Sequence, residues 1–371
     1  MKRSHTSAIL RFGFLFMSAA ICSFAFAGKA NAGADVKLGA TGRVVIGPSY
    51  DAAEDFSDGL AAVRVGRRWG FVDKSGTMVI RPQFIEGDAP FKARFSDGLA
   101  AVRHGDKWGF IDRKGKIVIS PRFAGDDYSP PSFSEGLCVI RDGYKYGYID
   151  TTGKFAIAPA FDGARNFSEG VAVVQEADGT QAYIDKQGNA ITTRRFDGAS
   201  PFREGLASVK IDGRYGFIDR SGNIVIPPKF DVASNFSDGL AAVQIGEKHA
   251  YIDKTGKIVV EPHFGDTIFN LLGEGFSEGF VAVELGGSKQ FAGPIGKFGF
   301  MDIKGDIAIK PIFDSASNFS DGLATVSVGG KYGFIDKTGR FVIEPRFTDA
   351  ASFSEGLARV RIGKKYGFIA R

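Results

Sequence analysis

Between Leu60 and Arg81 the chain sets down three short apolar runs, Leu60-Ala-Ala-Val, Trp69-Gly-Phe-Val and Met78-Val-Ile, with polar residues between them. Runs of this length, rich in β-branched and aromatic residues, predict strands, and no helical period has room between them. In the first run Leu60 and Ala62 point one way while Ala61 and Val63 point the other. In the third, Met78 and Ile80 oppose Val79. Strands apolar on both sides lie between two layers, so both faces of this unit are expected to be dry. Gly66 and its neighbours make the first turn, and Asp73-Lys-Ser-Gly76 makes a second of type I character. Pro82, which cannot donate to a ladder, ends the third strand, and a short link leads from Phe84 onward.

The same pattern recurs along the chain. Aligned on Phe-Ser-(Asp/Glu)-Gly, the glycines fall at 59, 98, 136, 170, 205, 239, 279, 322 and 356, and the shortest recurring spacing is 34 residues. The pattern therefore predicts an all-β chain of tandem three-stranded meanders of about 34 residues. One such unit cannot bury its apolar faces alone, so neighbouring copies must stack on one another. The ends are complementary. Gly42–Tyr50 reads as a third strand only, and Phe353–Arg371 as a first and second strand only. Together they complete one unit, which predicts a closed β-propeller-like ring of about nine small blades. The alternative is an open β-solenoid or superhelix, whose exposed edges would need capping.

Residues 1–32 have a different composition. Lys2, Arg3 and Arg11 precede an apolar stretch from Phe12 to Ala27, and small residues at Ala25/Ala27 and Ala30/Ala32 offer two cleavage positions. This is the layout of a signal peptide; the alternative is an N-terminal anchor helix left uncut. The expected organisation is a leader over 1–32, a short linker over 33–41 and the repeat domain over 42–371. The expected location is the periplasm or the exterior, with no stable membrane span after cleavage. Ile21 next to Cys22 argues against a lipoprotein site. The formal charge of +5 comes mostly from the leader. The near-neutral remainder gives no general electrostatic case for nucleic acid. With Cys138 then the only cysteine, no internal disulfide is expected.

Trp69-Gly70 and Trp108-Gly109, each after a cation (Arg68, Lys107), stand in the frame FSxGLAxVxxxxKWGFIDxxGxxVIxPxF. This resembles the bacterial WG, or KWG, repeat family from Gly42 to Arg371. The departures are local: tyrosine at 146, 215, 332 and 366, Phe298 in place of Trp, and Gln181-Ala182 and His249-Ala250 where the dipeptide is lost. The resemblance implies exported or surface binding modules and little chemistry.

The aspartates after the second strand, Asp73 and its equivalents, read as a metal ladder or as turn acceptors. No second carboxylate stands at a calcium-loop spacing, which favours turns. Arg68 and Lys107, with the equivalent cations, would line one rim, gripping an anionic polymer or solvating hairpin tips. Trp69 and Trp108 either stack on a ligand or wedge between blades. Insertions in repeat proteins decorate one face. The long links Ile85–Arg94, Ala124–Ser132 and Gly265–Gly275, and the insertion within Leu285–Gly296, make Phe269, Leu271, Leu272 and Phe291 candidates for a contact surface. No nucleophile elbow, phosphate loop or Cys/His cluster occurs, so neither catalytic residues nor a cofactor are expected. The expected function is a monomeric, non-enzymatic scaffold that binds an envelope protein or polysaccharide. The alternatives are a propeller-type hydrolase acting in a central channel and a purely structural spacer.

Overall fold

The computed structural model describes residues 42–85, 93–124, 130–261, 275–285 and 296–371. Every described element is a strand. Blade 5 shows how the sequence becomes structure. Its strands b, c and d (Leu206–Ile211, Arg214–Asp219, Ile224–Phe230) are the three apolar runs, and a two-residue strand a, Gly198–Ala199, pairs with b. This short fourth strand lies inside the link, where two residues leave no alternation to read. It recurs at Ala52–Ala53, Gly163–Ala164, Val232–Ala233, Ser315–Ala316 and Asp349–Ala350.

Strands b and c are buried on both faces, as their composition predicts. Leu206 to Val209 and Gly216 to Ile218 are all buried. Strand d departs from the expectation. Val79, Val118, Val225 and Val259 are 38–45% exposed. The physical reason is position: d is the outer edge of each blade, so only its alternate residues, such as Ile80 and Ile226, face the neighbouring layer.

The dipeptide glycine is required by strand d. The c–d register slips across Gly216, between Tyr215 and Phe217, and again between Phe217 and Ile218, where the proline-bearing strand crosses it. A Cβ on Gly216 would lie 2.5 Å from the Ile226 carbonyl oxygen and 2.7 Å from the Pro228 nitrogen. Only glycine admits such an approach of backbone to backbone.

Nine blades form. Eight carry their own b and c strands between residues 60 and 335, and blades 2 and 3 are joined by a single bridge between Ala124 and Arg141. In the ninth, Leu357–Ile362 and Lys365–Ala370 take Arg43–Tyr50 as their outer strand, with Val44 opposite Ile369.

The junctions repeat all the way round. At each, the phenylalanine of Phe-Ser-(Asp/Glu)-Gly packs on the aromatic after the strand-c glycine of the preceding blade, or on its equivalent in blades 4 and 6, with centroids 4.9–5.1 Å apart; in blade 5 Phe202 takes this place. The circle includes Phe56 on Phe368, which joins blade 9 to blade 1. The structure is therefore the closed ring, not the open superhelix.

Candidate binding face

Successive turns of an antiparallel blade alternate between its two ends. The a–b and c–d turns share one end, the turn face. The b–c hairpins and the d–a links share the other, the link face.

The turn face is regular, and its carboxylates are committed. Asp58-Gly59 forms a two-residue hairpin turn with φ of +52° and +75°, closed by Ser57 N–H to Leu60 O at 3.0 Å and the reverse bond at 3.2 Å. Positive φ at both central positions is the type I′ geometry that Asp-Gly favours. Each of the nine turn acids then accepts the glycine N–H of the next blade's turn at 2.7–3.1 Å, the last bond running from Gly59 to Glu355. At eight junctions a serine hydroxyl donates to the next blade's phenylalanine carbonyl at 2.6–3.0 Å. Arg203 replaces the serine at the remaining one. Cations of the following blade pair with five of the acids, as Lys74 does with Glu355 and Lys254 with Glu204 at 3.1 Å.

The aspartate ladder is used for turns. Asp73 Oδ1 accepts the N–H groups of Ser75 and Thr77 at 2.9 Å and the Ser75 hydroxyl at 2.6 Å. The hydroxyl bond, with those amides, holds the Asp73 carboxyl below the usual range. Thr152, Asn223, Thr255 and Thr338 do the same for Asp150, Asp219, Asp253 and Asp336.

The link face is where the copies differ. Residues 86–92, 125–129, 262–274 and 286–295 lie outside the described residues, and with them Phe269, Leu271, Leu272 and Phe291. Ile85 and Ala124 end the outer strands of blades 1 and 2 at the link face, and Leu285 ends strand b of blade 7 (Phe280–Leu285) there.

Trp69 and Trp108 are 3% and 8% exposed. They pack with Phe95 and Val102, and with Phe133 and Ile140, of the following blade. Both indoles are wedges between blades and offer no face to a ligand, which corrects their place among the binding candidates. Arg64 and Arg103, their cross-strand partners, lie over the rings with guanidinium carbons 5.7 Å from the centroids.

The cations before the aromatics differ in their partners. Lys145, Arg214, Lys297 and Lys365 each pair with an aspartate at the start of the next link, for example Lys145 with Asp162 at 2.6 Å. In blades 1 and 2 that position is Ile85 and Ala124. Arg68 stays exposed with no acidic partner among the described residues, and Lys107 meets only the adjacent Asp106 at 3.6 Å.

One feature of this face carried no sequence signal. A cleft of about 490 Å³ opens between blades 3 and 4, lined by Pro130, Pro131, Arg141, Tyr146, Asn166 and Gln175. Asn166 donates to the Ser132 hydroxyl at 3.2 Å along its wall. Tyr144, at the neighbouring hairpin tip, is 88% exposed. Cys138 is fully buried in strand b of blade 3, and burial pushes its thiol pKa up. Among the described residues no helix is long and apolar enough to cross a membrane.

Comparison with solved structures finds likeness in fold. A eukaryotic initiation factor aligns at 10% identity over 87% of this chain and 90% of its own, with a TM-score of 0.58. BamB from Moraxella catarrhalis aligns at 10% identity over 89% and 98%, with a TM-score of 0.37. Hsv2 from Kluyveromyces lactis aligns at 11% identity over 56% and 74%, also at 0.37. The last two align too loosely to add to the first. No curated protein matches the sequence. The model of the WG containing repeat matches nine times in succession, from residues 40–68 to residues 332–366. The chain, a repeat-built β scaffold whose every blade descends from that phrase, belongs to the family of WG-containing repeat proteins.

Proposed function

We propose that the protein is an exported, non-enzymatic scaffold that binds a protein or polysaccharide of the bacterial cell envelope through its link face. One observation carries this reading: the long links after Ile85 and Ala124 and the insertion after Leu285 leave their strands on that face, where the mixed aromatic and amide cleft of blades 3 and 4 also opens. Departures from a stacked repeat cost no junction when they stay in links and hairpins, so that is where binding surface accumulates. The nine turn acids support a non-enzymatic role, since each holds a backbone N–H of its neighbour.

Capture from a solubilised envelope fraction tests the assignment of the face. Replacing Tyr144 with Ser and Asn166 and Gln175 with Ala is expected to weaken capture several-fold. Lys114→Ser with Lys154→Ser, on the turn face, is expected to leave it unchanged. Equal capture by all three proteins, or loss only in the turn-face variant, would refute the reading. Export is tested on the mature protein by N-terminal mass spectrometry, which is expected to find a chain starting after Ala27 or Ala32. A chain that keeps residues 1–32 in the cell interior would contradict it.

A further inference from the structure

Blade 3 lacks a bond that fixes strand a in other blades. In six blades the residue two places before the junction phenylalanine donates its N–H to a strand-b carbonyl. Glu54 donates to Ala62, Arg165 to Val173, Ser200 to Ser208, Ser234 to Ala242, Ser317 to Thr325 and Ala351 to Arg359, all at 2.8–3.0 Å. In blade 3 that place is held by Pro131, which has no N–H to give, and Pro130 precedes it. The matching acceptor, the Val139 carbonyl, is left with the Cys138 thiol at 3.5 Å, a weak donor. The proline pair has no such meaning in the sequence until strand a is known.

The opening is short and polar. On this side strand b of blade 3 (Leu137–Asp142) is paired at Cys138, with Phe133, and again at Arg141, with Ala124. Only Val139 and Ile140 lie between, a span of about 7 Å at roughly 3.4 Å per residue. The cleft of blades 3 and 4 lies against this gap, with Val139 and Ile140 in its wall. The Tyr146 hydroxyl, on the same cleft, has no hydrogen-bond partner among the described residues, whereas its counterpart on Tyr366 donates to Asp349 at 2.9 Å. Among the described residues Asn166 uses only its donor, to Ser132 at 3.2 Å. Asn318, at the same place in blade 8, uses both ends of its amide: it accepts from Ala282 N–H at 2.9 Å and donates to Gly275 O at 2.8 Å. Charge gives no lead here. Lys145 is paired with Asp162 at 2.6 Å, Arg141 stands beside Asp142, and the adjoining link carries Asp126 and Asp127.

We propose that this cleft binds a neutral sugar unit of an envelope glycan. The proposal rests on the binding role of the link face and names the ligand of its cleft. An extended peptide joining strand b would need a run of ladder bonds, and a two-residue gap with one open carbonyl offers no such run. A single sugar ring fits the gap. Its hydroxyls both donate and accept, which suits a carbonyl, a phenol hydroxyl and the amides of Asn166 and Gln175. The ring of Pro130 offers an apolar surface to the C–H face of the sugar. A cleft of about 490 Å³ with a few convergent polar groups has the size and make-up of a small-molecule site.

The test is titration calorimetry on the full mature chain with four probes: maltohexaose, cellohexaose, chitohexaose and a polyuronate. At least one neutral hexamer is expected to bind, and added salt is expected to leave that binding unchanged. Tyr146→Phe with Asn166→Ala is expected to weaken it about tenfold or more. Pro131→Ala returns the missing N–H, so strand a can close on Val139, and is expected to weaken binding as well. This variant adds a ladder bond, so a loss of binding without a loss of stability marks the open edge as part of the site. Lys114→Ser/Lys154→Ser, on the turn face, is expected to bind as the parent does. Circular dichroism melts confirm the fold of each variant. Unchanged binding in both cleft variants would place the site elsewhere and overturn the proposal. Binding of the polyuronate alone would overturn it in favour of an acidic ligand. No binding of any hexamer, with envelope capture still weakened by the Tyr144 variant, would sink this ligand assignment and leave the role of the link face standing.

Discussion

Blades 4 and 5 are neighbours built from the same phrase, yet only blade 5 has a complete outer strand. Blade 5 has Gly216 in strand c and Pro228 in strand d, and d runs unbroken from Ile224 to Phe230. Blade 4 has Ala182 and Arg194 at those positions, and its outer edge is reduced to isolated bridges, Ile184 to Ala190 and Gln181 to Phe196. The alanine methyl occupies the space that strand d needs. Blade 4 nevertheless keeps its junctions: Ser168 donates to Phe202 O at 2.8 Å, Glu169 accepts from Gly205 at 2.9 Å, and Tyr183 packs on Phe202. The ring is held together by the aromatic pairs and turn acids between blades, and the outer strand is an addition that glycine makes possible.

The largest expected effect follows from that difference. Gly216→Ala puts a methyl against backbone that cannot yield, and should cost about 3 kcal/mol in chemical denaturation, with amide exchange speeding up along Ile224–Phe230. The reverse change, Ala182→Gly, should not restore a ladder in blade 4, because Arg194 still stands where the proline turns the strand. It should cost about 1 kcal/mol through lost burial and backbone freedom. If Ala182→Gly stabilised the protein, the comparison would fail.

Ser320→Ala removes the hydroxyl bond to Phe353 O and should cost about 1 kcal/mol. Arg203→Ser supplies the one missing serine and should gain up to about 1 kcal/mol by the same measurement.

The smallest effect near neutrality is that of pH. Asp73, Asp150, Asp219, Asp253 and Asp336 have carboxyls held below the ordinary range by hydroxyl or amide donors, so they lower the free energy of the folded state wherever they are ionised. That contribution is complete above the unfolded value of about 4 and is lost as pH falls through the folded values. The melting temperature should therefore stay level from about pH 7 to pH 5 and drop below about pH 4. A fall that begins above pH 5 would point to other groups.

Much of this was legible in the sequence because the repeat is local. The nine copies, the three long strands of each and the division of one copy between the chain ends can all be read from spacing and alternation. The place of Trp69 and Trp108 as wedges follows from the dry strands on which they sit. Strand a was missed because two residues, such as Gly198-Ala199, give no periodicity to read. The ring of turn acids was missed because each bond joins two different copies, about one repeat apart or, at closure, at opposite ends of the chain, although Asp58-Gly59 already spells a tight hairpin turn.

Closure is thus the claim on which the rest depends. Arg43 and Ala370 stand directly opposite each other between the outermost and the preceding strand of blade 9. The direct measurement is a cysteine pair at these two positions, in a chain with Cys22 and Cys138 replaced by Ser and Ala, oxidised in dilute solution and read by mass spectrometry of the monomer. The ring predicts an intramolecular disulfide in most molecules and a raised melting temperature. Free thiols in the folded monomer, or bonding only between molecules, would contradict it.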